Sequence, residues 1–369
     1  VVAAALTVGL WVVVISLTGG SDSARAGGPP LLVYSEFGAG SDIIWAADSD
    51  NPSQRDKLAS VDHAPEYGIV ASLSPDGERI AYTVLPPEGV AAIDAPAELW
   101  VMDRDGENRL RLATDADLPV APIWMPDSSA VIFRRSNGSD IGSDFQLVIM
   151  TVSGEERTLV DLQAGLIPVG FTPDGTFYFV SLSTSGTDLG IVFPSGGVIQ
   201  SLVHLSDDFA RDWHLSPDGE RLAYSAPRTS GDDVTYDTVV VDLNLFRTNL
   251  FKSLSIRSNQ GDEFNPIWRP NGSGVTVGRL DTEAGDSATS VDAASVSKII
   301  QAVPAQQQGF DVPLSWSPGA SYLAVRYYET QSLTDPGRSW VTVVGNDGTR
   351  KSVSPNSDVQ VMGWVDSGG

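Results

Sequence analysis

The chain of 369 residues contains no cysteine. Disulfides, thiolate metal sites and cysteine nucleophiles are excluded together. Histidine is scarce, with only His63, His204 and His214, so a multi-histidine metal centre has too few imidazoles to draw on. Positive charge is also short: 23 Lys and Arg stand against 47 Asp and Glu, for a formal charge of -24, and lysine occurs only at 57, 252, 298 and 351. Such a surface repels phosphate backbones and argues against unassisted DNA or RNA binding. No Gly-x-Ser-x-Gly pentapeptide is present, and no α/β segment is left to hold one, which argues against a serine hydrolase.

One long apolar run is present. Val1 to Thr18 carry no charge, and as a helix they would rise about 27 Å, close to the thickness of a bilayer core. Two readings stand open for it: a retained membrane anchor, or an export signal cleaved near Ala26, where Ala24-Arg25-Ala26 has the small-x-small form. Both place the rest of the chain outside the cytoplasmic membrane, in the cell envelope or secreted.

After residue 30 one pattern returns. A short apolar run ends in an aromatic residue or Leu, a Pro-Asp-Gly-like turn follows, and a second apolar run leaves it. The copies are Leu73-Ser-Pro-Asp-Gly77, Trp124-Met-Pro-Asp-Ser128, Phe171-Thr-Pro-Asp-Gly175, Leu215-Ser-Pro-Asp-Gly219, Trp268-Arg-Pro-Asn-Gly272 and Trp316-Ser-Pro-Gly319. Their prolines are 51, 47, 44, 53 and 48 residues apart, and Trp364 lies 48 residues beyond Trp316 as a seventh half-copy. Proline presets the first central dihedral of the turn, Asp bonds the following backbone, and Gly takes a left-handed position. The flanking runs, such as Arg79-Ile-Ala-Tyr82 and Arg221-Leu-Ala-Tyr224, read as strands. A second hairpin completes each unit, most clearly Glu98 to Asp103, Arg104-Asp-Gly106 and Asn108 to Leu112. Four strands per repeat of this length predict an all-β fold, a seven-bladed β-propeller.

The unit Leu73 to Thr114, with Ser74-Pro-Asp-Gly-Glu-Arg-Ile-Ala-Tyr82 and Glu98-Leu-Trp-Val-Met-Asp-Arg-Asp-Gly-Glu-Asn108, resembles the TolB-type propeller repeat. The resemblance covers nearly everything after residue 30 and implies a soluble envelope or extracellular propeller that binds proteins, peptides or glycans. Related repeats cap the hydrolase domain of prolyl-oligopeptidase-type enzymes. TolB proper resembles a six-bladed propeller behind a small α/β domain, whereas only Gly19 to Pro30 separates the apolar run from the first strand here. The resemblance therefore implies the fold more firmly than a partner. The expected division is an anchor or signal helix over 1–18, a linker over 19–30 and the propeller over 31–369. Residues 31–37 and 359–366 each lack partners of their own and are expected to pair, closing one blade from both ends and leaving no open sheet edge.

With strands lettered a to d from the channel outward, the tight a–b and c–d turns share one face. The longer b–c and d–a connections share the other, including 85–97, 135–144, 226–236, 281–288 and 328–338. Recognition usually sits on such loops. The chain enters at Leu31 and is expected to approach from the tight-turn face. Each d–a connection holds an Asp: Asp62, Asp117, Asp161, Asp208, Asp262, Asp311 and Asp358. As a ring at the channel rim they would favour a cation such as calcium, a basic peptide or a sugar. Turn chemistry alone yields the same pattern, because turns attract Asp. No other cofactor is implied, and no catalytic residue is assigned. His214 falls within a predicted innermost strand as a packed or channel-lining residue, and the tryptophans read as blade packing. Asn137-Gly-Ser and Asn271-Gly-Ser have the glycosylation form, the second within a repeat turn. The function expected is non-catalytic binding of an envelope protein, peptide or glycan. The alternatives are a structural subunit of an envelope complex, a propeller-fold lyase or a hydrolase-accessory domain.

Overall fold

The computed structural model describes residues 28–136, 145–162, 165–193, 201–230, 233–244, 255–257, 263–279, 289–292, 295–302, 309–330, 332, 335–354 and 358–367. The apolar run Val1–Thr18, the linker as far as Gly27, Asn137, Asp262 and the connection 281–288 lie outside them.

The described residues form twenty-eight strands, β1 to β28, all paired antiparallel within five four-stranded sheets and one eight-stranded sheet. The first sheet runs in the order β28 (Val359–Val365), β1 (Leu31–Glu36), β2 (Ser41–Asp48) and β3 (Arg55–Asp62). Leu31 lies opposite Val365 and Glu36 opposite Val359, so both ends of the described chain share one sheet. The other innermost strands are β4 (Val70–Leu73), β8 (Ile123–Trp124), β12 (Gly165–Phe171), β16 (Arg211–Leu215), β20 (Glu263–Trp268) and β24 (Phe310–Trp316). They touch in succession from β28 to β4 and on to β24. Trp364 on β28 donates its Nε1–H to Ser315 Oγ on β24 at 2.8 Å. The arrangement is propeller-like.

The eight-stranded sheet departs from the expectation of separate units. Innermost β8 has only two residues, so it covers part of its neighbour Ala130–Ser136, and the uncovered end of that strand pairs through Arg135 with Ala116 of the preceding unit. Segment 226–236 also differs from the long loop expected. Pairing continues from Ala226 opposite Asp237 to Ser230 opposite Asp233, giving two ten-residue strands, β17 (Arg221–Ser230) and β18 (Asp233–Asp242). Thr229, Val234, Thr235 and Tyr236 favour an extended backbone, which carries the hairpin outward.

The repeat turn works as a self-bonded unit. In Ser74-Pro-Asp-Gly77 the Gly77 N–H donates to Ser74 O at 2.9 Å, Ser74 Oγ donates to Asp76 Oδ1 at 2.6 Å, and Glu78 N donates to the same carboxylate oxygen at 3.0 Å. Thr172 replaces the serine in its copy and bonds Asp174 in the same way. Gly77, Gly175, Gly219 and Gly272 are left-handed, with φ of 75°, 80°, 70° and 66°. Ser128 and Ala320 hold the same position at 58° and 53° despite their side chains.

Between sheets the core is apolar. One cluster joins Ile167, Val169 and Tyr178 to Trp213, Tyr224 and Val239, and another joins Leu32 and Tyr34 to Leu314 and Val343. Indole N–H groups also tie innermost strands to the preceding repeat. Trp124 donates to Ser72 O at 3.3 Å, Trp268 to His214 O at 2.8 Å and Trp316 to Thr276 Oγ1 at 2.9 Å.

The turns themselves are packed unequally. A Cβ at Gly219 would stand 2.6 Å from Thr172 Cβ and 2.8 Å from Pro173 Cδ, whereas at Gly272 the nearest atom would be Arg221 Nη2 at 3.5 Å. Gly272→Ala is expected to lose about 1 kcal/mol from the left-handed backbone alone. Gly219→Ala should lose about 2 to 4 kcal/mol, because steric overlap adds to that cost. Urea unfolding of the two variants checks the order, and equal losses would contradict the packing of neighbouring turns.

Candidate functional site

Residues 28–30 lie on the tight-turn face. Pro30 O accepts the Ser49 N–H at 3.2 Å, and Gly28 to Pro30 share a cleft with Asp50, Ser317 to Gly319, Tyr322 and Asp366. The opposite face carries the b–c and d–a connections and most of the ionisable groups singled out in the sequence.

The seven aspartates do not share one environment. Asp117 is buried, accepts from Arg134 Nε at 2.7 Å, and the same guanidinium donates to Leu166 O of the next sheet at 3.0 Å. Asp311 is 1% exposed and is held by both Nη groups of Arg350, at 2.9 and 2.5 Å. Asp62, Asp161, Asp208 and Asp358 are exposed, Asp62 and Asp161 within outer strands rather than loops. Asp262 lies outside the described residues.

Three further buried acids on this face escaped the sequence reading, and one of them, Asp237, is paired with Arg228 at 3.6 Å. Glu263 accepts from Arg279 Nε at 2.8 Å and from the Thr238 N–H at 2.9 Å, binding one sheet to the next. Asp42 faces His63 Nε2 at 3.0 Å and accepts the Ile69 and Gly38 N–H groups at 2.8 and 3.2 Å, while His63 Nδ1 lies 2.8 Å from Ala64 O. Burial holds the Asp42 carboxyl above its usual range, against the opposing pull of these bonds and of His63. A b–c turn and a d–a connection are thereby tied together. The signal for these residues lies in long-range pairing, which a repeat reading cannot see.

The innermost strands β16 and β20 are bulged at Asp212 and Asn265, both left-handed, with φ of 58° and 47°. Bulges re-aim side chains and concentrate near binding sites. Asp212 Oδ2 accepts from Ser225 Oγ and from the Asn265 N–H, both at 3.1 Å. Asn265 Nδ2 donates onward to Pro313 O, and Asn265 Oδ1 is 3.4 Å from His214 Nε2. This network spans three sheets. Burial pushes the His214 imidazole below its ordinary value, more than Asp212 and Asn265 raise it.

Beside it opens a cavity of about 250 Å³ lined by Ile167, Leu182, Phe209, Ala210, Arg211, Asp212, Trp213 and Tyr236. The Arg211 guanidinium stacks over Tyr236 at 3.9 Å from the ring centroid, and Phe209 is 62% exposed at the rim. The connection carrying Phe209 is held by His204, whose two ring nitrogens lie 3.0 Å from Asp188 and 3.0 Å from Asp207. These two carboxylates raise the His204 imidazole above its ordinary value. Among the described residues, no three His, Asp or Glu side chains converge as metal ligands.

The sequence matches no family model and no curated protein. Solved structures match over most of the chain. TolB from Acinetobacter baumannii aligns with a TM-score of 0.52 at 15% identity over 90% of this chain and 65% of its own. A prolyl endopeptidase aligns at 0.59 and 14% over 96% of this chain and 51% of its own. An oligogalacturonate lyase in complex with manganese aligns at 0.54 and 12% over 89% of this chain and 86% of its own. The chain thus spans about two thirds of the first of these and about half of the second. The fold is the β-propeller fold of TolB and the prolyl oligopeptidases. A fold shared by TolB and by named enzymes does not choose between binding and catalysis.

Two measurements check these placements. In an NMR titration His204 should have its midpoint above the ordinary value of about 6.5 and His214 below it. A raised folded value means that the His204 bridge contributes stability at low pH, lost as pH rises through that value. His214 acts in the opposite sense, because the unfolded chain takes up its proton first and stability falls as pH drops below about 6.5. Identical midpoints would contradict both environments. Secondly, Asp311→Asn should cost about 3 kcal/mol by breaking a buried pair, whereas Asp208→Asn should stay within about 0.5 kcal/mol, both read from chemical denaturation.

Proposed function

We propose that the chain is a non-catalytic, TolB-like propeller of seven blades that works outside the cytoplasmic membrane by binding a protein, peptide or glycan on its b–c and d–a face. Seven follows from reading the eight-stranded sheet as two consecutive blades that touch at Ala116 and Arg135. Residues 31–369 then form one domain, closed by 359–366 against 31–37. Residues 1–18 direct export and, with the linker 19–30, either hold the domain at the membrane or release it near Ala26.

The observation that carries this reading is the division of acids on that face. Asp42, Asp117, Glu263 and Asp311 are buried against His63, Arg134, Arg279 and Arg350, whereas Asp62, Asp161, Asp208 and Asp358 are open to solvent. The buried acids fasten the frame. The exposed ones give the mouth an acidic, loop-rich rim, suited to recognition and to a cation such as calcium.

The test screens the full chain against displayed random peptides and a panel of envelope glycans, with and without calcium. Ligands recovered should weaken about fivefold or more in Asp208→Asn, Asp358→Asn or Val90→Ser, the last at a valine 73% exposed in the 85–97 connection. They should bind unchanged in Glu107→Gln and Glu155→Gln, which lie on tight turns. Cleavage of a panel glycan, or sensitivity confined to the tight-turn variants, would overturn the reading.

A further inference from the structure

The cavity between β12 and β16 differs in character from the acidic rim around it. Its walls are apolar and aromatic, from Ile167, Leu182, Ala210, Trp213 and Tyr236, with Phe209 standing 62% exposed at its lip. A volume of about 250 Å³ lies just below the usual range for small-molecule pockets. It suits one large side chain rather than an extended ligand.

One cation enters this space. Arg211 Nε is buried 3.5 Å from Asp212 Oδ2 while the side chain as a whole is 34% exposed, so the fork left for a ligand is its Nη pair. Among the described residues Asp212 is its only carboxylate neighbour, and the acceptor oxygen there already takes bonds from Ser225 and Asn265. The guanidinium plane is fixed by its stack on Tyr236. A planar fork so held is matched to a carboxylate, which it can engage through two parallel bonds. A phosphate dianion would want more than one cation, and here it would meet Asp212 and a chain of charge -24. A sugar would want many donors and acceptors, and this lining offers few. Screening over about 8 Å at physiological salt leaves the local cation decisive for a single carboxylate.

We infer that this cavity binds the C-terminal residue of a peptide, with a large apolar side chain against Phe209 and Trp213 and the terminal carboxylate on Arg211. The inference rests on the reading of the b–c and d–a face as the recognition face and names the ligand chemistry for one site on it. The bulge at Asp212 interrupts the pairing of β16 next to Arg211, and the connection that carries Phe209 is tied down by His204 to Asp188 and Asp207.

The test is fluorescence polarisation of the full chain with a labelled hexapeptide ending in phenylalanine, as the free acid and as the amide, and with a third ending in serine. The free acid is expected to bind about tenfold more tightly than the amide, the value of one charge-assisted contact. The serine peptide should bind more weakly still. Arg211→Gln should abolish the difference between acid and amide, and Arg211→Lys should restore part of it. Phe209→Ala, at an exposed position where folding is not at stake, should weaken both peptides. Equal binding of acid and amide, discrimination that survives Arg211→Gln, or no binding at millimolar peptide overturns the inference. If peptides bind without acid preference but lose affinity in Asp208→Asn or Val90→Ser, the cavity assignment fails and the reading of the face stands. If affinity responds only to tight-turn substitutions, both fail.

Discussion

An indole N–H donated across the gap between neighbouring sheets is the interaction on which the rest of this structure depends. Trp268, Trp316 and Trp364 each end or nearly end an innermost strand and reach the preceding sheet with the Nε1–H, and Trp124 makes the same bond to Ser72 within the eight-stranded sheet. The bond satisfies the one polar atom of a large buried ring. It also fixes how far one sheet turns relative to the next. Trp364 applies the same device where the last strand of the chain meets the sheet before it, and Leu31 and its neighbours then complete the first sheet against that strand. Gln360 adds a further tie in the other direction, exchanging bonds with the Ala71 backbone at 3.1 and 3.3 Å.

A frame built this way leaves its two faces with different tasks. The tight turns satisfy their own backbone through Ser or Thr and Asp side chains and pack against one another, as Gly219 does against Thr172. The other face carries longer connections that cannot do this, and it recruits buried acid–base pairs instead. Asp117 with Arg134, Glu263 with Arg279 and Asp311 with Arg350 share this design, and Asp42 with His63 is a variation on it. A buried charge persists when it is paired and hydrogen-bonded, and these pairs meet that condition. So a chain of strong negative charge keeps part of its acidity inside the frame as fasteners and the remainder on the surface.

Irregularity gathers around β16. Arg211, Asp212 and His214 occupy one short strand, next to a left-handed Asn265 in the following sheet, and the cavity beside Tyr236 opens there. Nothing in the repeat pattern marks this strand as special. Its copy has Leu215 where others have tryptophan, and its own tryptophan sits two positions earlier, at Trp213. The bulge itself leaves no trace in that spacing, since β20 is bulged at Asn265 and keeps Trp268 in the usual place before its turn.

The all-β class, the four-strand period and the turn geometry could be read from the residues alone, because Pro, Asp and Gly act on the backbone within three residues of themselves. The tryptophans' role in packing was likewise legible from their fixed distance to those turns. Folding alone sorts the aspartates into fasteners and residues that face water, since Asp117 and Asp208 have the same place in the repeat and differ in whether an arginine lies across from them. It also decided that 226–236 extends a hairpin and that Arg211 lies beside Phe209 and Tyr236. Such contacts join residues far apart in the chain, and the energy of a charge or an exposed ring is set by neighbours that local pattern does not encode.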